Sequence, residues 1–460
     1  MDGWRLALGA LLGLGLVSLF LPAHPQVKVG GPVDTGDTAW MLASTALVLL
    51  MTPGLSFFYG GMVRTKSVVS TMLQSFVAMG VVSILWVVVG FSLAFGESLG
   101  GPGRGLVGNP VTFFMLSRVG TGTEPDLAPT IPFVLFVLFQ LKFAIITPAL
   151  VSGSFAERVR FSSYLVFIAL FTLLIYCPIA HWTWHPNGFL RARGVLDFAG
   201  GSVVHMSSGL AALAGALVLG RRKDHLHGAA QGAANVPFVL LGTGMLWFGW
   251  FGFNAGSALK ASGIATMAFL TTNTASAAAM LAWVCCDRIR GLKVSALGAA
   301  IGAVVGLVAI TPAAGFVSVG ASILIGASAS LVSNFAVHWK SRSSLDDTLD
   351  VFPCHGVGGM FGMLMTGILA SKAVNPDGAD GLLYGGGGLF LAHVVALFVV
   401  AAFAFFGSLA IYKVTDLFIP LRVKEEHEAV GLDLSQHGEV AYPSGQRRGL
   451  GQTLLGGSER

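Results

Sequence analysis

Eleven apolar runs, most of them about twenty residues long, dominate the sequence, and short polar or glycine-rich links separate them. In lipid every backbone N–H and C=O must find its partner within the protein, which leaves helices or closed barrels as spanning structures. A helix of about 20 apolar residues matches the roughly 30 Å of bilayer hydrocarbon. The runs fall near 40–59, 68–95, 132–153, 164–184, 198–219, 236–257, 265–284, 297–310, 313–337, 351–370 and 390–414. The eighth is the shortest, and only "TPAAG" divides it from the ninth.

Composition supports the same class. Apolar residues make up 54% of the chain and charged residues 11%, where a soluble domain carries about 25% charged residues. The sequence predicts an all-α polytopic membrane protein. The formal charge of +5 is no signature of nucleic-acid binding, because Lys and Arg stand in small clusters at the ends of apolar runs. Arg64, Lys66, Arg158, Arg160, Arg221, Arg222, Lys223, Arg288, Arg290, Lys293, Lys340 and Arg342 occupy alternate links, and fewer basic residues occupy the others. The positive-inside rule then places the N-terminus outside and the C-terminus in the cytoplasm of a multi-pass cell-membrane protein. The four cysteines, Cys177, Cys285, Cys286 and Cys354, have no metal-type spacing and read as structural thiols.

Four segments are expected. Residues 1–24 hold Arg5 and an apolar stretch and read as a signal peptide, with an uncleaved extra helix as the alternative. Residues 37–415 form the transmembrane domain, 416–442 a polar cytoplasmic segment, and 443–460 a flexible Gly- and Ser-rich tail. Many of the 62 glycines lie inside spans, where small residues let helix backbones approach closely.

Two histidines interrupt this apolar pattern. His205 lies in the fifth run and His355 in the tenth, each after an acidic residue near the start of its helix, Asp197 and Asp350. The first and sixth runs also share a cadence, "GLSFFYGG" against "GWFGFNAGS". Units of five spans must be inverted relative to each other, and a site at the interface of inverted repeats is a recurring transporter plan. Ionisable groups inside a membrane usually mark a pathway. A single buried histidine is more often a satisfied core residue, but a pair at matching places favours function.

"GLSFFYGGMVR", "GSFAERVRF", "DFAGGSVVH", "GWFGFNAGS" and "DVFPCHGVGG", in this order from about residue 37 to 442, resemble the ammonium transporter (Amt/Rh) family on its Amt side. The resemblance implies eleven transmembrane helices, two inverted five-helix repeats plus a final helix, around a narrow pore in each subunit of a homotrimer. It implies an outer vestibule where Phe143, Trp184 and Ser257 recruit ammonium, a gate of Phe143 and Phe253, and a pore lined by His205 and His355. No cofactor, metal set or enzymatic activity is implied. The cation would lose its proton, neutral ammonia would pass, and the histidines would relay the proton separately. Asp197 would cap its helix and support the vestibule electrostatically, and Asp350 is expected to do the same structural work in its own helix.

Lys142, beside Phe143 and near mid-depth, would repel ammonium if it faced the pore, so it is expected to face another helix or a subunit interface. The resemblance also implies a PII-type regulatory protein as a partner for the C-terminal segment, with "GRRKDHLHGAAQGAAN" available to join that surface. Three other readings compete. An ammonium-sensing receptor with little conduction would use the same vestibule. A Rh-like channel for a neutral gas would have no use for Trp184. A membrane enzyme built on His205 and His355 lacks a nucleophile or a cofactor loop.

Overall fold

Side-chain caps start several of the long helices. The Asp34 carboxylate accepts the Asp37 N–H at 2.8 Å, and the Asn235 side chain accepts that of Phe238 at 2.9 Å. Ser262, Ser295 and Ser318 serve in the same way. Such caps satisfy N–H groups that the first helical turn leaves free. A computed structural model describes residues 2–20, 25–26, 28–223 and 232–442. The expected flexible tail, 443–460, lies outside them, as do part of the 1–24 segment and residues 224–231 of the basic loop.

A leading helix α1 covers Asp2–Ser18. The spanning helices follow: α2 Thr35–Met62, α3 Thr65–Phe95, α4 Phe133–Ser154, α5 Phe161–Trp184, α6 Gly201–Leu219, α7 Val236–Gly256 and α8 Gly263–Ile289. They continue with α9 Ala296–Ile310, α10 Val319–Ser341, α11 Phe352–Leu369 and α12 Gly387–Phe418. Ten of these are long enough to cross a bilayer by themselves, and α9 is the short one. At about 1.5 Å per residue its 15 residues reach about 22 Å, and the turns from Thr311 to Phe316 prolong it. The bundle is the eleven-helix membrane architecture expected from the apolar runs.

Glycine contacts hold its two halves together. Helices α2 and α7 pack so closely that a Cβ on Gly242 would lie 2.3 Å from the Phe58 nitrogen, and one on Gly54 would lie 2.9 Å from Met245 Cβ. Helices α6 and α11 cross in a reciprocal manner. Gly209, four residues after His205, abuts the backbone of Gly356, one residue after His355; Gly359, four after His355, abuts Met206, one after His205. Interchange of the two halves preserves this contact, as an inverted repeat requires. Both helices open with a π-helical turn, Gly201–Met206 and Phe352–Val357, and each turn carries its histidine. Such widened turns gather at functional sites.

The two ends of the bundle differ. One, the loop-rich face, carries the links before α4, α6, α8, α10 and α12, including a small antiparallel hairpin of Ser98–Leu99 with Val107–Gly108. The other, the tail face, gathers buried charges. Glu157 accepts Arg64 at 2.7 Å and Arg222 at 2.8 Å, and Arg222 also bonds Asp346 at 2.8 Å. Burial would raise the Asp346 carboxyl, but hydrogen bonds from Arg222 and the charge of Arg158 hold it well below the usual carboxylate range. The C-terminal segment is laid onto this face. Val423 N–H donates to Arg158 O at 3.0 Å, Asp433 accepts the Ser70 N–H at 2.8 Å, and Asn235 donates to the Tyr442 hydroxyl at 3.0 Å.

Candidate functional site

The chain pauses at the loop-rich face in a cavity of about 550 Å³, lined by Phe143, Trp184, Asp197 and Ser257 among others. Each of these comes from an element placed by the packing above. Phe143 lies midway along α4, Trp184 ends α5, Asp197 precedes α6, and Ser257 follows α7. The Trp184 indole N–H donates to the Asp197 carbonyl at 3.1 Å, which fixes the ring over the cavity. The Ser257 hydroxyl donates to the Phe253 carbonyl at 2.8 Å. Its one hydrogen is thereby used, and its oxygen lone pairs are left to accept an N–H from a guest.

The floor of the cavity is aromatic. Phe143 and Phe253 stack with centroids 4.2 Å apart and planes at 27°, and Trp184 meets Phe143 edge-on at 5.7 Å. Both phenylalanines are fully buried, so the stack closes the way inward. Below it Phe253 lies 6.1 Å from the ring of His205, which also stacks on Trp250 at 5.3 Å. His205 and His355 then face each other, Nδ1 to Nδ1, at 3.2 Å. Their rings are 5.3 Å apart and nearly parallel at 28°.

That single hydrogen bond determines the rest of the pair. One Nδ1 must donate and the other accept, so one ring presents a bare Nε2 and the other an Nε2–H. His205 Nε2 is buried and has no partner among the described residues. Two cavities of about 10 Å³ flank the pair, one under Phe253 with Leu55 and Trp250 in its wall, the other toward the tail face with Tyr59, Leu349 and Cys354. Vestibule, aromatic stack, histidine pair and inner cavity thus follow one another through the bundle.

Asp197 and Asp350 end in different settings. The Asp197 carboxylate accepts the Gly200 N–H at 2.8 Å, the Gly201 and Ser202 N–H groups at 2.7 Å and the Ser202 hydroxyl at 2.6 Å. At the start of α11 the acceptor is Asp347, which takes the Phe352 N–H at 2.7 Å. Asp350, in a left-handed backbone conformation at φ 58°, pairs instead with Lys340 at 2.6 Å. A signal for this was present in the sequence: Asp347 precedes His355 by eight residues, as Asp197 precedes His205. Proximity to the histidine favoured Asp350, whereas the widened first turn needs the earlier carboxylate. Lys142 is half-buried and stands outside the cavity lining that Phe143 joins.

Sequence reasoning also passed over Trp250, whose indole donates to Thr311 at 2.9 Å while its face supports His205. It passed over His393 of α12, which donates to the Met363 carbonyl at 2.7 Å and accepts the Leu196 N–H at 3.1 Å, pinning the link that delivers Asp197. Trp250 is the second residue of "GWFGFNAGS", a motif read for Phe253 and Ser257 alone, and His393 belongs to no distinctive motif.

A family model described as the Ammonium Transporter Family matches residues 39–442. The chain belongs to that family. A Bacillus subtilis ammonium transporter is 47% identical over 412 residues, covering 89% of this chain and 99% of its own. An ammonium transporter of Aquifex aeolicus is 45% identical, covering 93% and 99%. Among solved structures, Candida albicans Mep2 superposes with a TM-score of 0.80 at 36% identity, covering 86% of this chain and 88% of its own. A protein described as a sensor Amt protein gives 0.77 at 28% identity, covering 87% and 98%. In this ammonium transporter family member the five sequence motifs all fall on the walls of the vestibule, the stack or the histidine pair, or on the tail-face charge cluster.

Proposed function

We propose that this protein is an ammonium transporter that recruits the cation in the vestibule, strips its proton and conducts ammonia past the paired histidines. The observation that carries the reading is the Nδ1–Nδ1 bond of 3.2 Å between His205 and His355, directly behind the stack of Phe143 on Phe253. Taking an ammonium-sized ion from water into low dielectric costs on the order of 20 kcal/mol by the idealised Born estimate. Neutral ammonia escapes most of that cost. Burial likewise disfavours a charged imidazole, so the pair handles a neutral guest with one donor and one acceptor.

Recruitment uses the aromatic faces and the oxygen already described. Aromatic faces attract such cations by about 0.5–2 kcal/mol. Trp184 and Phe143 supply them, and Ser257 supplies an acceptor. Asp197, bound to its helix through both oxygens, contributes fixed negative charge to the vestibule wall. The proton left behind passes along the histidine pair, as an exchange of tautomers allows. The loop-rich face lies outside and the tail face in the cytoplasm, the subunits form a homotrimer, and a PII-type protein docks on the tail face. The C-terminal segment, laid across the tail face, provides the surface for that docking.

Purified protein in liposomes tests the reading, with current and internal pH recorded together under an ammonium gradient. Ammonium-driven flux is expected, and His355→Ala should abolish its selectivity. Wild-type flux in that variant would remove the histidines from the pathway. A second reading, ammonium sensing with little conduction, follows from the likeness to the sensor protein. Tight ammonium binding without flux would select it.

A further inference from the structure

The tail face holds a carboxylate that the pathway above does not use. Asp347 is fully buried between α10 and α11. Its Oδ2 accepts the Phe352 N–H at 2.7 Å, while Oδ1 is buried with no hydrogen-bond partner among the described residues. Lys340 offers that oxygen no hydrogen bond: its Nζ donates to the Asp347 backbone carbonyl at 2.7 Å and pairs with Asp350 at 2.6 Å. The cluster therefore holds two carboxylates and one ammonium. Arg158 also senses Asp347, but its guanidinium donates to the Thr348 hydroxyl at 2.7 Å and to the Asp346 and Ser154 carbonyls at 2.5 and 3.1 Å. Tyr59 and Cys354 also lie within electrostatic reach of Asp347, and Asp346 beside it is held by Arg222.

Tyr59 and Cys354, which feel the Asp347 charge, also face the pore. Tyr59, Cys354 and Leu349 line the same inner cavity as His355, and its volume of about 10 Å³ is near the threshold of roughly 10–15 Å³ at which one water fits. We infer that Asp347 is the inner acceptor of the proton that leaves the histidine pair, taking it on Oδ1 and passing it to cytoplasmic water. The proton moves from a histidine nitrogen through water to the carboxylate oxygen, which becomes a neutral carboxyl; its departure restores the carboxylate, so the cycle closes without any other reagent. This inference rests on the proposed relay through His205 and His355. Burial, opposed by Lys340 and reinforced by Asp350, pushes the Asp347 carboxyl up to about 6, within reach of cytoplasmic pH.

The test compares the full-length wild type with Asp347→Asn, Asp347→Glu and His355→Ala in liposomes. Current and accumulation of labelled methylamine are measured at lumenal pH from about 5 to 8 on the tail-face side. Asparagine keeps an oxygen for the Phe352 N–H but neither takes up nor releases a proton at these pH values. We expect Asp347→Asn to lose at least ten-fold in current while methylamine accumulation stays within three-fold, and Asp347→Glu to return most of the current. Wild-type current should fall as lumenal pH drops through about 6, because a protonated acceptor cannot accept again, and the asparagine variant should lack that decline. Unchanged current per methylamine with the wild-type pH profile in Asp347→Asn overturns the inference. So does parallel loss of current and accumulation in a folded variant, which would assign Asp347 to the helix terminus alone. Full current in His355→Ala, or a wild type that accumulates methylamine without current, overturns the histidine relay and this inference with it. Current lost in His355→Ala and retained in Asp347→Asn overturns this inference only.

Discussion

Asp197 and Asp347 stand eight residues before His205 and His355, one in each half of the bundle, and the protein treats them differently. Asp197 has four close hydrogen bonds spread over both oxygens. Asp347 has one such bond on Oδ2 and an empty Oδ1. The first, with every oxygen engaged, is an anchor for its helix, and the second keeps an oxygen free to take a proton. An inverted repeat supplies equivalent positions; the partners at each position decide what the same residue does there.

The largest effect should come from exchanging these carboxylates for amides. In Asp197→Asn an NH₂ group would face two donors, and each buried donor left unmade costs about 1–3 kcal/mol. A loss of about 3–5 kcal/mol in stability, with at least 100-fold less uptake, is expected from that variant. Asp347→Asn keeps its one N–H bond and should cost about 1 kcal/mol or less. Chemical denaturation of the purified variants measures the difference, and equal destabilisation would erase the contrast between anchor and titrating group.

The glycines at the crossing offer a second contrast. A Cβ on Gly209 would lie 2.1 Å from the Gly356 nitrogen, whereas one on Gly359 would meet its nearest atoms at 3.0 Å. Backbone cannot yield to the first as side chains yield elsewhere. Gly209→Ala should cost about 3 kcal/mol, at the upper end of ordinary overpacking, and Gly359→Ala about 1 kcal/mol. Thermal unfolding in detergent reads both, and the reverse order would mean that the crossing is not packed as described.

Much of this was legible in the chain. Apolar length alone gives the eleven helices, because lipid admits few alternatives. The histidines stand out because titratable rings are rare in such runs, and Phe253 stands out only through "FGFNAG". The rest depended on geometry that spacing does not carry. Nothing in the sequence marks the π turns that open α6 and α11, and without them Asp350 looks like the nearer cap. The charge cluster of Glu157, Arg222 and Asp346 joins three separate links, and Trp250 and His393 act through contacts between distant spans. Lys142 was read from its neighbour: helical geometry turns adjacent residues about 100° apart, and the structure leaves it outside the lining that holds Phe143.

The two mouths differ as the two carboxylates do. The loop-rich face presents a cavity of about 550 Å³ with Trp184 and Ser257, and the tail face leads to one of about 10 Å³ with no exposed aromatic platform in its lining. Trp184→Leu removes an attraction of about 0.5–2 kcal/mol, which corresponds to roughly 2- to 30-fold in half-saturating concentration. Ser257→Ala removes one acceptor, about 1 kcal/mol or roughly five-fold. Both changes should act on ammonium offered at the loop-rich face and leave that offered at the tail face within about two-fold, because only the first encounter uses these groups. Liposomes sorted by protein orientation give the two values separately. A serine variant that weakens both directions equally would place Ser257 in the conducting path instead of the recruiting mouth.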